Sequence, residues 1–185
     1  MVIPEIKFTL KDGRKAVLRS PREEDIPGML NYLYVTSGET DFLLRYPEEC
    51  TKYTEEGEKA LFERVNQSDN EAMLACLVDG VIVGNSSVSW SKSIKTGHRA
   101  NVSIALFREV WGLGIGTRIM QELIHIAESN ERITQLELGF IEGNSRARAL
   151  YEKMGFRITG VQPNAIRLKD GTLLNEYLMV KELHR

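Results

Sequence analysis

Two stretches of the chain combine residue types and spacings that have chemical meaning. The first, Trp111-Gly112-Leu113-Gly114-Ile115-Gly116-Thr117, falls between a segment that reads as a strand and one that reads as a helix. Alternating glycines let backbone N–H groups crowd at a helix N-terminus, where partial positive charge and unpaired donors can hold a pyrophosphate. A tight strand-to-helix turn with no ligand asks for the same residues. Two other phosphate motifs fail on spacing: the glycines run GxGxG rather than GxGxxG, and no Lys follows Gly116 as a P-loop requires. The second stretch is Asn144-Ser145-Arg146-Ala147-Arg148-Ala149-Leu150-Tyr151-Glu152-Lys153-Met154-Gly155-Phe156. Asn144, Ala147, Leu150, Tyr151 and Met154 recur at helical spacing and share one face, while Gly155 ends the helix and Phe156 opens a strand. Tyr151 on such a face serves either packing or chemistry.

The elements that must hold these stretches can be read along the chain. Residues 7–10 and 15–19 form a hairpin around Asp12-Gly13, and residues 71–78 and 81–90 form another around Asp79-Gly80. Ser20-Pro21 opens a helix with Ser20 as its cap and Glu23, Glu24 and Asp25 near its positive end. Residues 37–54 read as a loop with one short helix, and 54–65 as a second helix. A strand over 98–107 leads through the glycines to an amphipathic helix over 117–128, with Ile119, Leu123 and Ile126 on one side. A strand over 133–140, a helix over 145–154 and strands over 156–168 and 173–180 complete the order. Only the strand–helix–strand in the middle suggests parallel pairing. The expectation is a mixed α/β (α+β) fold in one domain spanning residues 1–185.

Composition limits the functional classes. A chain of 185 residues, 42% hydrophobic and 27% charged, buries roughly 70% of its unfolded surface and needs no staples. With 24 basic against 26 acidic residues it lacks the basic surplus of a protein that lives on nucleic acid, so no nucleic-acid partner is expected. Cys50 and Cys76 lie far apart with no CxxC and no His cluster nearby, which argues for free thiols, a reducing compartment and no metal site. The first residues carry Glu5 and no long apolar run, and nowhere do 18 apolar residues follow one another. A cytoplasmic protein with no membrane contact is expected.

Taken together, the two motifs resemble the GNAT superfamily of acetyl-CoA-dependent N-acetyltransferases. The family's acyl-CoA loop, [QR]xxGxG[AG], is met from Trp111 to Gly116, with Trp111 in place of the usual Gln or Arg. The later pattern NxxAxxLYxKxGF is met at Asn144, Ala147, Leu150, Tyr151, Lys153, Gly155 and Phe156. The resemblance covers most of residues 15–181. It implies a mixed, mostly antiparallel central sheet of about seven strands with flanking helices, splayed into a V between the strands over 98–107 and 133–140. Acetyl-CoA (or coenzyme A), used as a co-substrate, would lie in the V.

In that arrangement, backbone groups of Ile104, Ala105, Leu106 and Phe107 would meet the pantetheine arm, and Trp111, Gly112, Leu113, Gly114, Ile115, Gly116 and Thr117 would form the pyrophosphate loop. Asn144 would hydrogen-bond the pantetheine and Ala147 and Leu150 would line it; Arg108, Arg118 and Arg148 are candidates for the adenosine phosphates. A primary amine would attack directly in a ternary complex, the Leu106 N–H would steady the thioester oxygen, and Tyr151 would give a proton to the departing sulfur. Some members place a Glu base on the fourth strand, where this chain has Ala100. That leaves His98, which shares the parity of Ala100, Glu137, which is antiphase to Leu136 and Leu138, or a water relay. Glu39 and Asp41, with other acids nearby, would draw a cationic amine or form a solvated acidic surface. Residues 160–166 would close one side of the acceptor pocket, with Pro163 stiffening an edge. The acceptor is a small-molecule amine or a protein N-terminus, and a homodimer is compatible with the family. Two other readings are an inactive acyl-CoA sensor and an unrelated nucleotide-binding module.

Overall fold

The computed structural model, which describes residues 1–183, has eight strands in the order β1-β2-β3-β4-β5-β6-β8-β7. They are β1 (Ile6–Thr9), β2 (Lys15–Arg19), β3 (Glu71–Val78), β4 (Val81–Trp90), β5 (Arg99–Leu106), β6 (Gln135–Ile141), β7 (Arg157–Arg167) and β8 (Leu173–Glu182). The sheet is thus mixed and mostly antiparallel as expected, with eight strands rather than about seven. Tight turns account for the antiparallel half. Asp79 and Gly80 both take positive φ, 50° and 81°, the geometry that reverses a chain in two residues. Among the described residues β5 and β6 are the only parallel pair, and the helix α3 (Ile115–Glu128) crosses between them. The other α-helices are α1 (Ile26–Glu39), α2 (Glu55–Gln67) and α4 (Ser145–Lys153).

Strand alternation assigns the helices to faces. A Cβ on Gly116 of α3 would touch Ile104 and Leu106, and one on Gly84 would meet Leu106, so α3 covers the face of the even-numbered residues of β5. β3 pairs Cys76 with Gly84 but the next residue, Leu77, with Ile82, which places Ile82 on the other face. Gly28 of α1 packs on Ile82, so α1 covers that second face. The inner side of α3 is fully apolar: Ile115, Ile119, Met120 and Leu123 are each at most 1% exposed. Each contributes about 1.5–3 kcal/mol of burial.

Two local expectations are corrected. Ser20 does not cap a helix: it is buried, and its Oγ accepts from Ile3 N–H at 2.8 Å while its N–H donates to Ile3 O. The chain instead turns at Arg22, and Asp25 accepts from the Arg22 N–H at 2.7 Å while meeting the buried Arg19 guanidinium with two hydrogen bonds, at 2.6 and 2.9 Å. Residues 37–39 belong to α1, leaving a shorter loop before a 3₁₀ turn at Pro47–Lys52. Thr54 caps α2 through its side chain, which accepts from Gly57 N–H at 3.1 Å.

Candidate active site in the gap between β5 and β6

β5 follows β4 in register from Ala100 to Leu106, but pairs with β6 only at Arg99, Ala100 and Asn101. Beyond these the two strands part, and a cleft of about 250 Å³ opens between residues 102–106 and 139–141. The expected V is therefore present, between the expected strands.

The parting leaves backbone groups without sheet partners. Phe107 N–H donates to Val83 O at 2.8 Å, so the N–H and C=O of Phe107 and Ala105 point toward β4, and those of Ile104 and Leu106 point into the cleft. The Ala105 carbonyl also accepts from the buried Tyr32 hydroxyl at 2.7 Å. Of the four residues expected to offer backbone groups, the alternation turns Ile104 and Leu106 inward. The Leu106 carbonyl is taken by the Trp111 indole N–H at 3.1 Å, leaving the Leu106 N–H facing the cleft. The Trp111 ring lies beneath two guanidinium groups, with Arg146 5.0 Å and Arg108 5.6 Å from its centre.

The glycine loop behaves as its composition suggests. Gly112 and Gly114 have φ of 81° and 97°, and a Cβ on either would meet nothing within 4 Å, so the loop is open to approach. Gly114 caps α3, whose first intrahelical bond runs from Arg118 N–H to Gly114 O. The N–H groups of Ile115, Gly116 and Thr117 therefore face outward as donors at the positive helix end. Gly116 lets α3 approach α4 closely, since a Cβ there would stand 3.1 Å from Leu150 Cδ2. The Lys153 ammonium lies 3.5 Å from Thr117 Oγ1, a cation beside this helix end that the motif contained but charge counting overlooked.

α4 supplies the other wall. Asn144 caps it, its Oδ1 accepting from Ala147 N–H at 3.1 Å, so the side-chain NH₂ is what Asn144 has left to offer the cleft it lines. Ala147, Leu150 and Tyr151 line the same cleft. Tyr151 is only 6% exposed and packs between Phe140 and Phe156, with ring centres 6.4 and 6.2 Å away. Burial pushes its phenol up to about 12, which keeps the proton on at neutral pH.

The acidic and basic candidates lie elsewhere. His98 is exposed, precedes β5, and gives its carbonyl to Thr134 and Gln135 N–H at the paired end of the V. Glu137 faces Asn101 at that same end and is held by Arg99 through two hydrogen bonds of 2.6 and 2.7 Å, which keep its carboxyl below the ordinary range. Neither lines the cleft. Glu39 Oε2 accepts from Arg108 N–H at 2.9 Å and the Glu39 carbonyl accepts from the Arg108 guanidinium, a latch between α1 and the chain before the glycines. Asp41 is exposed outside the cleft, whose lining from that loop is Thr40, Phe42, Leu43 and Leu44. Arg148 pairs with Glu152, and Arg118 pairs with Glu122 beside a separate hollow next to β1. Residues 160–166 lie on the outer strand β7 and do not line the cleft; the wall on that side is Glu176 of β8. Glu176 was not among the sequence candidates, although Gly139 inside a strand was a signal of something approaching closely.

The profile of the acetyltransferase (GNAT) family matches residues 40–156, most of the chain and both motifs. The chain belongs to the GNAT family. A GNAT acetyltransferase from Streptococcus pneumoniae superposes with a TM-score of 0.85 at 25% identity, covering 91% of this chain and 99% of that one. A ribosomal-protein-alanine N-acetyltransferase from Brucella melitensis gives 0.75 at 26% identity, over 90% and 99%. A Salmonella typhimurium protein solved with its cofactor acetyl-CoA gives 0.77 at 18% identity, over 92% and 95%, and shares the fold. A search of curated protein sequences returned no significant match. GNAT proteins use acetyl-CoA, and the residues here suit it. The inward Ile104 and Leu106 groups, the open glycine turn and the free donors of α3 match a ligand with an amide-bearing arm and a pyrophosphate. No helix among the described residues is long and apolar enough to cross a membrane.

Proposed function

We propose that the protein is an acetyl-CoA-dependent N-acetyltransferase that moves an acetyl group to a primary amine by direct attack in a ternary complex. The observation that carries this reading is the unpaired stretch of β5, which brings inward backbone groups and a buried phenol to one cleft, with the first turn of α3 packed against Ile104, Leu106 and Leu150 of its lining. Acetyl-CoA supplies an acyl group activated as a thioester. The N–H groups from Gly112 to Thr117 hold the pyrophosphate, with Lys153 adding charge. Ile104 and the Asn144 amide orient the arm, with Ala147 and Leu150 against it, and Trp111 fixes the mouth by tying the glycine loop to Leu106. The Leu106 N–H points at the position where negative charge builds on the carbonyl oxygen. Tyr151 Oη keeps a proton for the departing sulfur; with its phenol at about 12, it stays loaded at any pH where an amine reacts.

An amine with an ordinary pKa near 10.4 attacks only as its neutral form. Because His98 and Glu137 stand away from the cleft, a water relay is the favoured route for the proton it loses. The ribosomal-protein-alanine enzyme among the similar structures supports a protein N-terminus as one acceptor, beside small amines. The test is release of free thiol from acetyl-CoA by the purified protein across a panel of amines. Amine-dependent release is expected; tight CoA binding with no turnover on any amine would instead favour a sensor.

A further inference from the structure

We propose that Glu176 is the anchor for the acceptor's ammonium group, and that the acceptor is a monoamine carried on an apolar group. This rests on the acetyltransferase reading. Glu176 is the only carboxylate among the described residues that line the cleft. Its position is prepared by the backbone: a Cβ on Gly139 would stand 2.5 Å from Glu176 Oε1, so the glycine clears the space the carboxylate fills. Among the described residues the carboxylate accepts no hydrogen bond and meets no cation within ion-pair distance. Almost every other half-buried acid nearby is engaged: Glu142 by the Asn175 N–H, Glu137 by Arg99 and Glu39 by Arg108.

The strand pattern also puts Glu176 on the correct side. It pairs with Ile141 on β6, so it shares a face with Gly139 and, through the β5–β6 register, with Ser103. Phe140 and the Tyr151 ring packed on it belong to the opposite face. Donor and acceptor thus enter from opposite sides of the gap, and Glu176 is the carboxylate that lines the acceptor's side. The lining there includes Thr40, Phe42, Leu43, Leu44 and Ser103, which offers apolar surface and two neutral hydroxyls but no second carboxylate. A single carboxylate neutralises a single ammonium; a polyamine would bring further charges onto Phe42 and Leu43 with no partner, at a desolvation cost. Arg146 and Tyr151 line the same cleft, and Arg146 is held over Trp111. Glu176 is also the first acceptor on the way to water for the proton that the amine nitrogen releases as it acylates.

The experiment uses the full chain saturated with coenzyme A, titrated by calorimetry with phenethylamine and with spermidine, beside steady-state kinetics on both. The wild type should bind and acetylate phenethylamine at least tenfold better than spermidine. Glu176→Gln should weaken phenethylamine at least tenfold, both in calorimetric affinity and in the Michaelis constant, and leave coenzyme A affinity within twofold. Gly139→Ala, which crowds the carboxylate, should weaken the amine in the same direction and serves if the first variant fails to fold. A Glu176→Gln protein that binds the amine within twofold of wild type overturns the anchor, and preference for spermidine overturns the class. Wild type that turns over no amine at all fails the enzyme reading itself, and is recognised by the absence of thiol release before any variant is made.

Discussion

The two ends of the β5–β6 pair are built from the same strands and do opposite things. At one end Arg99, Ala100 and Asn101 stand in register with Gln135, Leu136 and Glu137, and the Arg99–Glu137 ion pair closes the seam from the side. At the other end no pairing with β6 remains, and the Trp111 indole takes the Leu106 carbonyl that a neighbouring strand would otherwise bind. The closed end keeps its polar side chains satisfied and contributes stability. The open end leaves backbone donors, a phenol and a carboxylate unpaired, and these are the groups available for chemistry. A charged residue's parity on a strand therefore says less about its role than its position along the strand relative to where pairing stops.

The contrast can be broken by experiment, starting at the open end. Tyr151→Phe should lower turnover by about 10²–10⁴-fold, the range for a general acid, with coenzyme A affinity unchanged; a rate within twofold of wild type would return Tyr151 to a packing role. The same residue makes a pH prediction. As pH rises the amine loses its proton and kcat/KM climbs, while a phenol displaced upward to about 12 is still protonated, so no falling limb should occur between pH 8 and 10. A descending limb centred below 10 would contradict the assignment.

Smaller effects follow at the hinge of the two regions. Gly116→Ala should force Leu150 off its rotamer into the cleft, at about 0.5–1.5 kcal/mol, read as up to about tenfold in coenzyme A affinity. The melting temperature should hold, because Ala suits a helix better than Gly. Trp111→Phe should lose about 1 kcal/mol of stability by leaving the Leu106 carbonyl without its donor. At the closed end, Glu137→Gln should leave amine kinetics within twofold. It should remove only about 0.2–1 kcal/mol, since Arg99 is half in solvent and water screens the pair. Because the Glu137 carboxyl is held below its ordinary value of 4.5, this stability is complete above that pH and is lost as pH falls through the lowered value. The gap between wild type and variant should close in acid.

Much of this was legible from residues alone. Asp-Gly turns located two hairpins, and the edges of β3 and β4 were read to the residue. The glycine cluster and the Asn144–Phe156 pattern gave the family and the parting strands, and helical spacing put Ala147, Leu150 and Tyr151 on the face that lines the cleft. What sequence could not supply was long-range. β5 leaves β6 after Asn101, a point that no local pattern encodes, so His98 and Glu137 looked as eligible as any residue of their parity. Ser20 looked like a cap because a Ser before Pro usually is one; a hydrogen bond to Ile3, 17 residues away in sequence, took its hydroxyl. Glu39 looked free until α1 ran on to meet Arg108. Glu176 lies 20 residues beyond Phe156, the end of the second motif, in a strand that alternation alone would call structural.

The Trp111 ring has one further consequence, an optical one. The chain has two tryptophans, and Trp90 is 8% exposed within the core. Trp111 instead borders the cleft with two guanidinium groups against its ring, an arrangement whose emission responds to a charge or thiol that arrives beside it. The protein thus carries its own fluorophore at the mouth of the site, while the second tryptophan does not line the cleft.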